Sequence, residues 1–468
     1  MCQMRHYSPS QDHHLAATRS TLVQVLGHID SRRTAEQYLS HFTTPKSALR
    51  PFAVIKVGGA ILRDHLPTLA SALAFFSHVG LYPVLVHGAG PQLNQILQEA
   101  GVEPRFEDGI RVTDGKTMAL ARRLFLEENL KLGQALEAMG VSTRPLTAGI
   151  FQADFLDRKK YNLVGRIRKV EKAPILSALR ASCVPILTSM AETPDGQVLH
   201  VNADLAASEL ARALQPAKVV YLAETGGLVH GHTGARIARI NLSEEYDQLM
   251  AQSWVRHGTT RLKIRAAQEL LTDLPSSSSV SIVHPLDLQK AILAAPGTGT
   301  RIEKGTRTFS TPSAEFKSWP RLEHVLRKQQ GQGPDASFCM AEMKKRPFKL
   351  YSQDPAMCPL AVVSFATQGV PQLLTFPRQT EDTGADDMFL QIMKDFPKLV
   401  WTVPENDRRL DWFSRRATGR YYHDGWVLMW YGVSQHEARQ LIMGLPNGEA
   451  ADPELGEPEP YQAASQAA

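Results

Sequence analysis

Two short apolar segments, each ending in a glycine-rich turn, carry the clearest chemical pattern in this 468-residue sequence. The segment 54–61 contains Lys56-Val57-Gly58-Gly59, and the segment 82–91 contains His87-Gly88-Ala89-Gly90. Each predicts a buried strand that opens a helix, where backbone N–H groups can approach an anion closely. The two turns and the strand lysine therefore predict a nucleotide phosphate site. It is not a Walker A loop, because GxxxxGK[ST] is absent.

Four further features could take part in such a site. Arg111 follows a turn in Gly109-Ile110-Arg111, where its planar guanidinium could hold a carboxylate with two hydrogen bonds. Asp204 follows a strand and begins a helix, so it could orient cationic groups or simply cap the helix. Glu224-Thr225-Gly226-Gly227 is a Gly-Gly turn after a third strand, and Lys263 lies near the start of a helix. A lysine in that position is usually solvated, so position alone does not make it catalytic.

The elements that must position these residues alternate between strand and helix patterns over 51–305. Strand-like runs occur at 54–57, 84–86, 184–188, 219–222 and 280–283, with amphipathic helices between them. This order predicts an α/β domain with a mostly parallel sheet. Ligands of such sheets bind outside the carboxyl ends of the strands, which is where Lys56 and the glycine turns would lie.

The remaining segments predict a two-domain chain with polar ends. We expect a disordered N-terminus over 1–17 and a helical arm over 18–50, which could pack on its own domain or contact a neighbouring subunit. The first domain covers 51–308, and a linker with one helix covers 309–336. A smaller domain covers 337–447, and a disordered tail, rich in Glu, Pro, Ala and Gln, covers 448–468.

Composition narrows the class of protein. Hydrophobic residues make up 43% and charged residues 21% of the chain, which is typical of a soluble globular protein. The net charge of +5 is small for this length and does not argue for a nucleic-acid partner. Four scattered cysteines without a CxxC pair predict reduced thiols and no structural zinc. With no secretory signal and no membrane span in the pattern, we expect a cytoplasmic protein.

Together these motifs resemble the amino-acid kinase family, specifically N-acetylglutamate kinase. The domain order resembles the two-domain branch that includes vertebrate N-acetylglutamate synthase and the bacterial bifunctional synthase/kinases. The matching motifs run in order along the chain: 56–59, 87–92, 109–113, 164–165, 202–204, 224–228, 261–263, 278–282 and 297–300. In the second domain, 398–401 and 429–432 resemble a GNAT-like acetyltransferase domain. The resemblance implies an amino-acid-kinase sandwich followed by a smaller α+β domain.

The resemblance also implies roles for the residues. Lys56 and Lys263 would flank the transferred phosphoryl group, and Asp204 would hold both lysines in place. Mg²⁺ would arrive with ATP, so no metal site of the protein's own is expected. The residues expected to bind ATP phosphates are Gly58, Gly59, Gly88, Gly90, Thr225, Gly226 and Gly227. Those expected to bind N-acetyl-L-glutamate are Gly88, Ala89, Arg111, His200 and Asn202.

Departures from the family pattern concentrate in the second domain. His200 stands where family kinases usually carry an asparagine that helps to bind the acylated amino acid. The histidine therefore affects which acceptor the site is expected to take. The expected acetyl-CoA turn at 378–385 has one glycine and carries acidic residues, which disfavour a pyrophosphate. Thr402-Val403-Pro404 replaces Arg-x-Arg, and Phe413 stands where the family has its catalytic tyrosine. We therefore expect a fold retained without transferase chemistry, with acetyl-CoA a cofactor only if this domain is active.

Three functions follow as hypotheses. The first is an acetylglutamate kinase of arginine biosynthesis, regulated by arginine. The second is a bifunctional synthase/kinase that also uses acetyl-CoA and L-glutamate, and the third is a non-catalytic arginine-sensing regulator. By analogy with arginine-sensitive members, arginine would bind near the N-terminal arm and the 297–299 loop. The arm also favours a homo-oligomer.

Overall fold

The structure is a computed structural model. It describes residues 52–78, 80–256, 259–292, 298–316, 318–329, 336–353, 360–365, 369–377, 383–414, 416–445 and 454–455. The chain divides into two compact units, one with residues up to 240 and 248–304, the other with 241–247 and most residues from 305 onwards. The predicted N-terminal arm and the preceding segment, 1–50, lie outside the described residues. Of the described helices, none is both long and apolar enough to cross a membrane.

The first unit is built from a large sheet, a smaller sheet and short hairpins. Its strands are β1 Ala53–Val57, β2 Val84–His87, β3 Phe106–Glu107, β4 Ile110–Arg111, β5 Thr143–Leu146, β6 Phe151–Phe155, β7 Gly165–Val170, β8 Val184–Thr188, β9 Met190–Glu192, β10 Val198–His200, β11 Lys218–Leu222, β12 Leu228–Val229, β13 Arg236–Ile237, β14 Arg239–Asn241, β15 Ser279–Val283 and β16 Thr300–Glu303. The five strand-like runs identified in the sequence are confirmed to within one residue at either end.

Helices from the same part of the chain include those that cover both faces of the large sheet. They are α1 Gly59–Asp64, α2 Leu66–His78, α3 Gly90–Glu99, α4 Gly115–Glu137, α5 Arg158–Tyr161, α6 Ala173–Arg180, α7 Ala203–Leu214, α8 Leu242–Ala251, α9 Ser253–Arg256, α10 Thr259–Asp273 and α11 Leu288–Ile292. Of these, α8 begins in the segment 241–247, which belongs to the second unit. One core cluster joins α2, α4 and α11 to one face, and another joins α6 and α7 to the other. The unit is therefore the predicted α/β sandwich.

The large sheet has the order β14-β16-β15-β11-β1-β2-β8-β5. Strands β15, β11, β1, β2, β8 and β5 pair in parallel, and β16 is antiparallel to β15. The predicted mostly parallel sheet is confirmed. Because β1 lies between β2 and β11, the turns after these three strands meet at one edge. The smaller sheet has the order β10-β9-β6-β7 and carries His200 at the end of β10.

Strand β1 explains how Lys56 reaches this edge. Its residues Ala53, Ile55 and Val57 belong to one core cluster, whereas Val54 belongs to the other. Successive side chains of a strand point to opposite faces, so Lys56 shares the face of Val54. That is the face covered by α7, which packs directly on β1.

The second unit is a second sheet with helices around it. Its strands are β17 Phe309–Pro312, β18 Phe348–Ser352, β19 Leu360–Ser364, β20 Gln372–Thr375, β21 Leu399–Pro404, β22 Gly419–His423, β23 Trp426–Tyr431 and β24 Glu454–Leu455; its helices are α12 Trp319–Gln329, α13 Ala336–Lys345, α14 Thr383–Asp395, α15 Leu410–Ser414 and α16 Gln435–Met443. The sheet order is β17-β18-β19-β20-β21-β23-β22-β24. Strands β20 and β21 pair in parallel at one position only, Gln372 with Val400.

Two expectations about the ends of this unit differ from the structure. The sequence predicts a linker over 309–336, but residues 309–312 form β17, which pairs with β18. The breaker residues around Pro312 misled the prediction, because Pro is tolerated in an edge strand. Glu454–Leu455, within the tail predicted to be disordered, pairs with β22.

Candidate active site

The centre of the candidate site is an ion pair between Lys56 and Asp204. Lys56 Nζ lies 2.9 Å from Asp204 Oδ1, and the lysine side chain is only 18% exposed. Lys56 stands at the end of β1, and Asp204 stands in the first turn of α7. The carboxylate therefore fixes the lysine ammonium at the carboxyl edge of the sheet. Asp204 is not the helix cap considered from the sequence, because Asn202 caps α7 instead.

The two glycine turns after β1 and β2 touch each other. Gly88 N–H donates to Val57 O at 3.0 Å, which joins the end of one strand to the turn after the next. A Cβ added to Gly59 would lie 3.0 Å from the Cα of Ala89 and 2.9 Å from Pro91 Cδ. A Cβ on Gly90 would meet nothing within 4 Å. Gly59 is therefore required by close packing of the turns, whereas Gly90 faces open space.

Replacing Gly59 with alanine is expected to push the two turns apart. The added methyl group would collide with Ala89 Cα and the Pro91 ring, neither of which can rotate away, and this costs about 1–3 kcal/mol of stability. We expect a lower melting temperature and a loss of nucleotide affinity. For the melting temperature, Gly90→Ala is the matched control, since its methyl group fits without a clash; because Gly90 is itself expected to bind phosphate, nucleotide affinity is compared with that of the original protein. Equal melting temperatures for the two variants would contradict the packing described above. Thermal unfolding and nucleotide titration measure both effects.

Arg111 is a buried arginine with an unused donor. Its side chain stacks on Phe106, with the guanidinium carbon 4.7 Å from the ring centre, and Nη2 donates to Asn94 Oδ1 at 2.5 Å. Nη1 is buried and has no hydrogen-bond partner among the residues that the structure describes. Burial lowers the pKa of Arg111 from its usual value. An unpaired buried donor of this kind costs free energy unless a ligand accepts from it.

His200 lies near Arg111, and its imidazole is uncharged at neutral pH. Its Nδ1 is 3.3 Å from Oγ1 of the buried Thr113, and its ring makes an edge contact with Phe125. Burial, with a contribution from the Arg111 charge, lowers the pKa of His200 to about 4. At neutral pH the imidazole can therefore donate or accept one hydrogen bond without adding charge, as the amide of an asparagine does.

The side-chain oxygen of Asn202 is used to cap a helix. Its Oδ1 accepts from the backbone N–H of Asp204 at 2.8 Å and of Leu205 at 3.3 Å, which caps α7. Only the amide nitrogen of its side chain is then left for a ligand. The cap also explains why Asp204 is held in the first turn, facing Lys56.

The third turn, at Thr225–Gly227, follows β11 at the same edge. Gly226 and Gly227 both have positive φ, 62° and 151°, which side chains rarely adopt. Thr225 Oγ1 donates to Gly227 O at 3.2 Å. The Arg236 side chain lies across the two glycines, and a Cβ on Gly227 would come within 3.2 Å of it. The two glycines therefore allow the backbone to form this turn and leave room for the Arg236 side chain.

Lys263 is not joined to the Lys56–Asp204 pair. It is exposed on α10, and within the described residues Asp204 forms its ion pair with Lys56 alone. Helix α10 does pack against α7, whose first turn carries Asp204. The role expected for Lys263 therefore stays a prediction.

Several polar residues at the site were missed in the sequence. Gln92, Asn94, Glu128 and Asn129 all contact site residues or the strands that carry them. Glu128 and Asn129 interrupt the apolar stripe of α4 that includes Leu124 and Leu132, and this interruption was the available signal. In the described part of the chain, no three or more His, Cys, Asp or Glu side chains gather closely enough to hold a metal ion.

In the described part of the second unit, the position expected to carry the catalytic tyrosine can be examined, whereas residues 378–382 of the expected acetyl-CoA turn lie outside the described residues. Phe413 is 3% exposed and packs on Phe376, Phe389 and Trp401, so the position of the expected tyrosine carries a core ring without a hydroxyl. Strands β20 and β21 separate after their one paired position. Just past the end of β20, Arg409 Nη1 donates to Phe376 O at 2.9 Å. Arg409 is also paired with the carboxylate of the nearby Asp407. Among the described residues, the position of Phe413 therefore supplies no hydroxyl for acetyl transfer.

Comparison with known proteins agrees with this architecture. The amino acid kinase family profile matches residues 51–281, and the profile of the N-acetyltransferase of N-acetylglutamate synthase matches 308–447. An acetylglutamate kinase from Xanthomonas campestris is 36% identical over 88% of this chain and 96% of its own length. The chain belongs to the acetylglutamate kinase family. Within that family it has the fused kinase and N-acetyltransferase-like organisation.

Other relatives of this acetylglutamate kinase family member are longer. A Neurospora crassa protein named "Protein arg-6, mitochondrial" is 50% identical over 91% of this chain but only 49% of its own length. The chain spans about half the length of the fungal relatives it matches. A solved N-acetylglutamate synthase from Neisseria gonorrhoeae, complexed with coenzyme A and N-acetyl-glutamate, has a TM-score of 0.62 at 19% identity and covers 84% of this chain and 93% of that chain. At that identity the likeness concerns the fold alone.

Proposed function

We propose that this protein phosphorylates the side-chain carboxylate of N-acetyl-L-glutamate with ATP. The observation that carries the proposal is the Lys56–Asp204 pair at the same sheet edge as the glycine turns. A nearby buried arginine, Arg111, has an unpaired donor suited to a second carboxylate. The site therefore offers separate places for phosphate oxygens and for the α-carboxylate of the acceptor.

The proposed reaction needs positioning and charge neutralisation rather than a strong base. The acceptor carboxylate is ionised at neutral pH, so its oxygen can attack the γ-phosphorus directly while the bond to ADP breaks. Lys56, held by Asp204, would stabilise the negative charge on the transferring phosphoryl group, and Lys263 would approach from the other side. Backbone N–H groups of the turns after β1 and β2 would hold the phosphates. Mg²⁺, carried in with ATP, would shield the phosphate oxygens.

The proposal is tested by ADP release from the purified chain. We expect ADP to form when ATP, Mg²⁺ and N-acetyl-L-glutamate are all present, and not when the acceptor is omitted. Glutamate without the acetyl group is a suitable comparison substrate, since His200 and Asn202 are expected to recognise the acylated amine. Absence of ADP above background with every acceptor would contradict the proposed function.

For the second unit we predict no acetyltransferase activity. Its family profile suggests use of acetyl-CoA, but Phe413 supplies no hydroxyl and Arg409 occupies backbone acceptors at the end of β20. We expect no release of CoA from acetyl-CoA and L-glutamate, measured with a thiol reagent, under conditions where ADP release is readily detected. CoA release that depends on glutamate would favour the bifunctional alternative.

Compartment, regulation and assembly are separate proposals. The names of the three fungal relatives place those proteins in mitochondria, which favours a mitochondrial location for this chain over the cytoplasmic one expected from its sequence. Regulation by arginine and formation of a homo-oligomer stay predictions.

A further inference from the structure

A buried carboxylate lies behind the two glycine turns and has no role in the chemistry proposed above. Glu128, on α4, is 4% exposed. Its Oε2 accepts from Gln92 Nε2 at 3.2 Å, and its Oε1 accepts from the exposed Lys131 at 2.7 Å. Because a buried carboxylate is costly unless it is paired, both of these contacts are needed to keep it there.

Gln92 links this carboxylate to the first turn. Its Nε2 donates to Gly59 O at 2.8 Å as well as to Glu128, so both N–H groups of the amide are used. Only the nitrogen end of the amide can satisfy two acceptors, so Glu128 fixes which way the amide faces. The opposite orientation would place Oε1 against Gly59 O and the carboxylate.

The amide also bridges two separate elements. Gly59 is the first residue of α1, after the first glycine turn, and Gln92 lies in the first turn of α3, after the second. We propose that Gln92 and Glu128 are positioning residues that hold the two turns at the spacing a nucleotide triphosphate requires. This inference rests on the proposed function in one respect, namely that the nucleotide held by the two turns is the phosphoryl donor.

The bridge matters because small displacements at a phosphate site have large kinetic effects. Without Glu128 the Gln92 amide keeps only one partner, Gly59 O, so its side chain is less restrained and that bond is weakened. The backbone donors of the two turns then lose their fixed separation. A misplacement of about 1 Å in such a site can cost on the order of a hundredfold in rate.

Glu128→Met keeps the volume of the side chain and removes both acceptor oxygens, whereas a glutamine here could still accept from Gln92 Nε2. We expect kcat/KM for ATP to fall about tenfold or more, with the KM for N-acetyl-L-glutamate little changed, since misplaced turns act on the nucleotide first. Glu127→Met is the matched control, because Glu127 is its neighbour on α4, is partly exposed and pairs only with Arg123 among the described contacts. Equal kcat/KM values for Glu128→Met and the original protein would overturn the proposal.

A double-mutant cycle separates positioning from general loss of stability. Gln92→Met keeps the volume of the side chain and removes the bridge even if Glu128→Met does not fold. If the two residues act through one bridge, the double variant is expected to lose no more than Gln92→Met alone. Fully additive losses would overturn the proposal.

Binding of a non-hydrolysable ATP analogue tests the same inference without turnover. Calorimetry is expected to give about tenfold weaker binding for Glu128→Met and unchanged binding for Glu127→Met. Unchanged analogue affinity in Glu128→Met would overturn the inference. An original protein that binds the analogue but releases no ADP would contradict the proposed function and leave this test intact.

Discussion

Lys56→Ala is expected to lower the rate of ADP release by about 10²–10³-fold, the usual cost of removing a preorganised group that stabilises transition-state charge. Lys56 is largely buried and held 2.9 Å from Asp204, so its ammonium is already oriented at the sheet edge. The loss should appear mainly in kcat, because the charge it stabilises develops during transfer. Steady-state kinetics with saturating ATP measures it.

The control for this substitution is Lys172→Ala, an exposed lysine before α6, which should keep its full rate. Circular dichroism and thermal unfolding should show that Lys56→Ala remains folded. Asp204→Asn is expected to lose much of the same activity, since it releases the lysine. In a double variant the two losses should not add, because both residues act through one ion pair. A normal rate for Lys56→Ala would mean that its assigned role is wrong.

Arg111→Lys is expected to raise the KM for N-acetyl-L-glutamate by about 10–100-fold, with the KM for ATP unchanged. One charge-assisted hydrogen bond is worth about 1.5–3 kcal/mol, which corresponds to that range. Lysine keeps the charge but not the planar guanidinium that stacks on Phe106 and bonds to Asn94. Initial rates at varied acceptor and fixed ATP measure the effect.

Arg122→Lys, an exposed arginine on α4, is the matched control and should leave both KM values unchanged. An increase in the KM for ATP alone in Arg111→Lys would show that Arg111 contacts the nucleotide. That result would contradict its assignment to the carboxylate of the acceptor.

The sequence predicts the sandwich and the strands because their signals are local. Lys56 lies in a run of β-formers that ends in glycines, and this pattern depends on a few neighbouring residues. The contact between Lys56 and Asp204 is implied by the family resemblance and not by a local pattern, since it depends on which face of β1 the helix α7 covers.

The network behind the turns could not be predicted from local patterns. Glu128 comes 36 residues after its partner Gln92, and it stands on a helix that otherwise looks amphipathic. Arg111 could be proposed as a carboxylate ligand, but its partner Asn94 becomes visible only once α3 and β4 are placed together. The linker over 309–336 is predicted from breaker residues at its two ends with one amphipathic helix between them, whereas pairing of β17 with β18 is a long-range effect.

The most direct test of the central claim is whether the acceptor's side chain becomes an acyl phosphate. With hydroxylamine present, an acyl phosphate is converted to a hydroxamate that can be measured by its coloured iron complex. We expect hydroxamate to form in equal amount with ADP from N-acetyl-L-glutamate, and not from N-acetyl-L-glutamine, which lacks the side-chain carboxylate. ADP release without hydroxamate, or equal hydroxamate from both compounds, would contradict the claim.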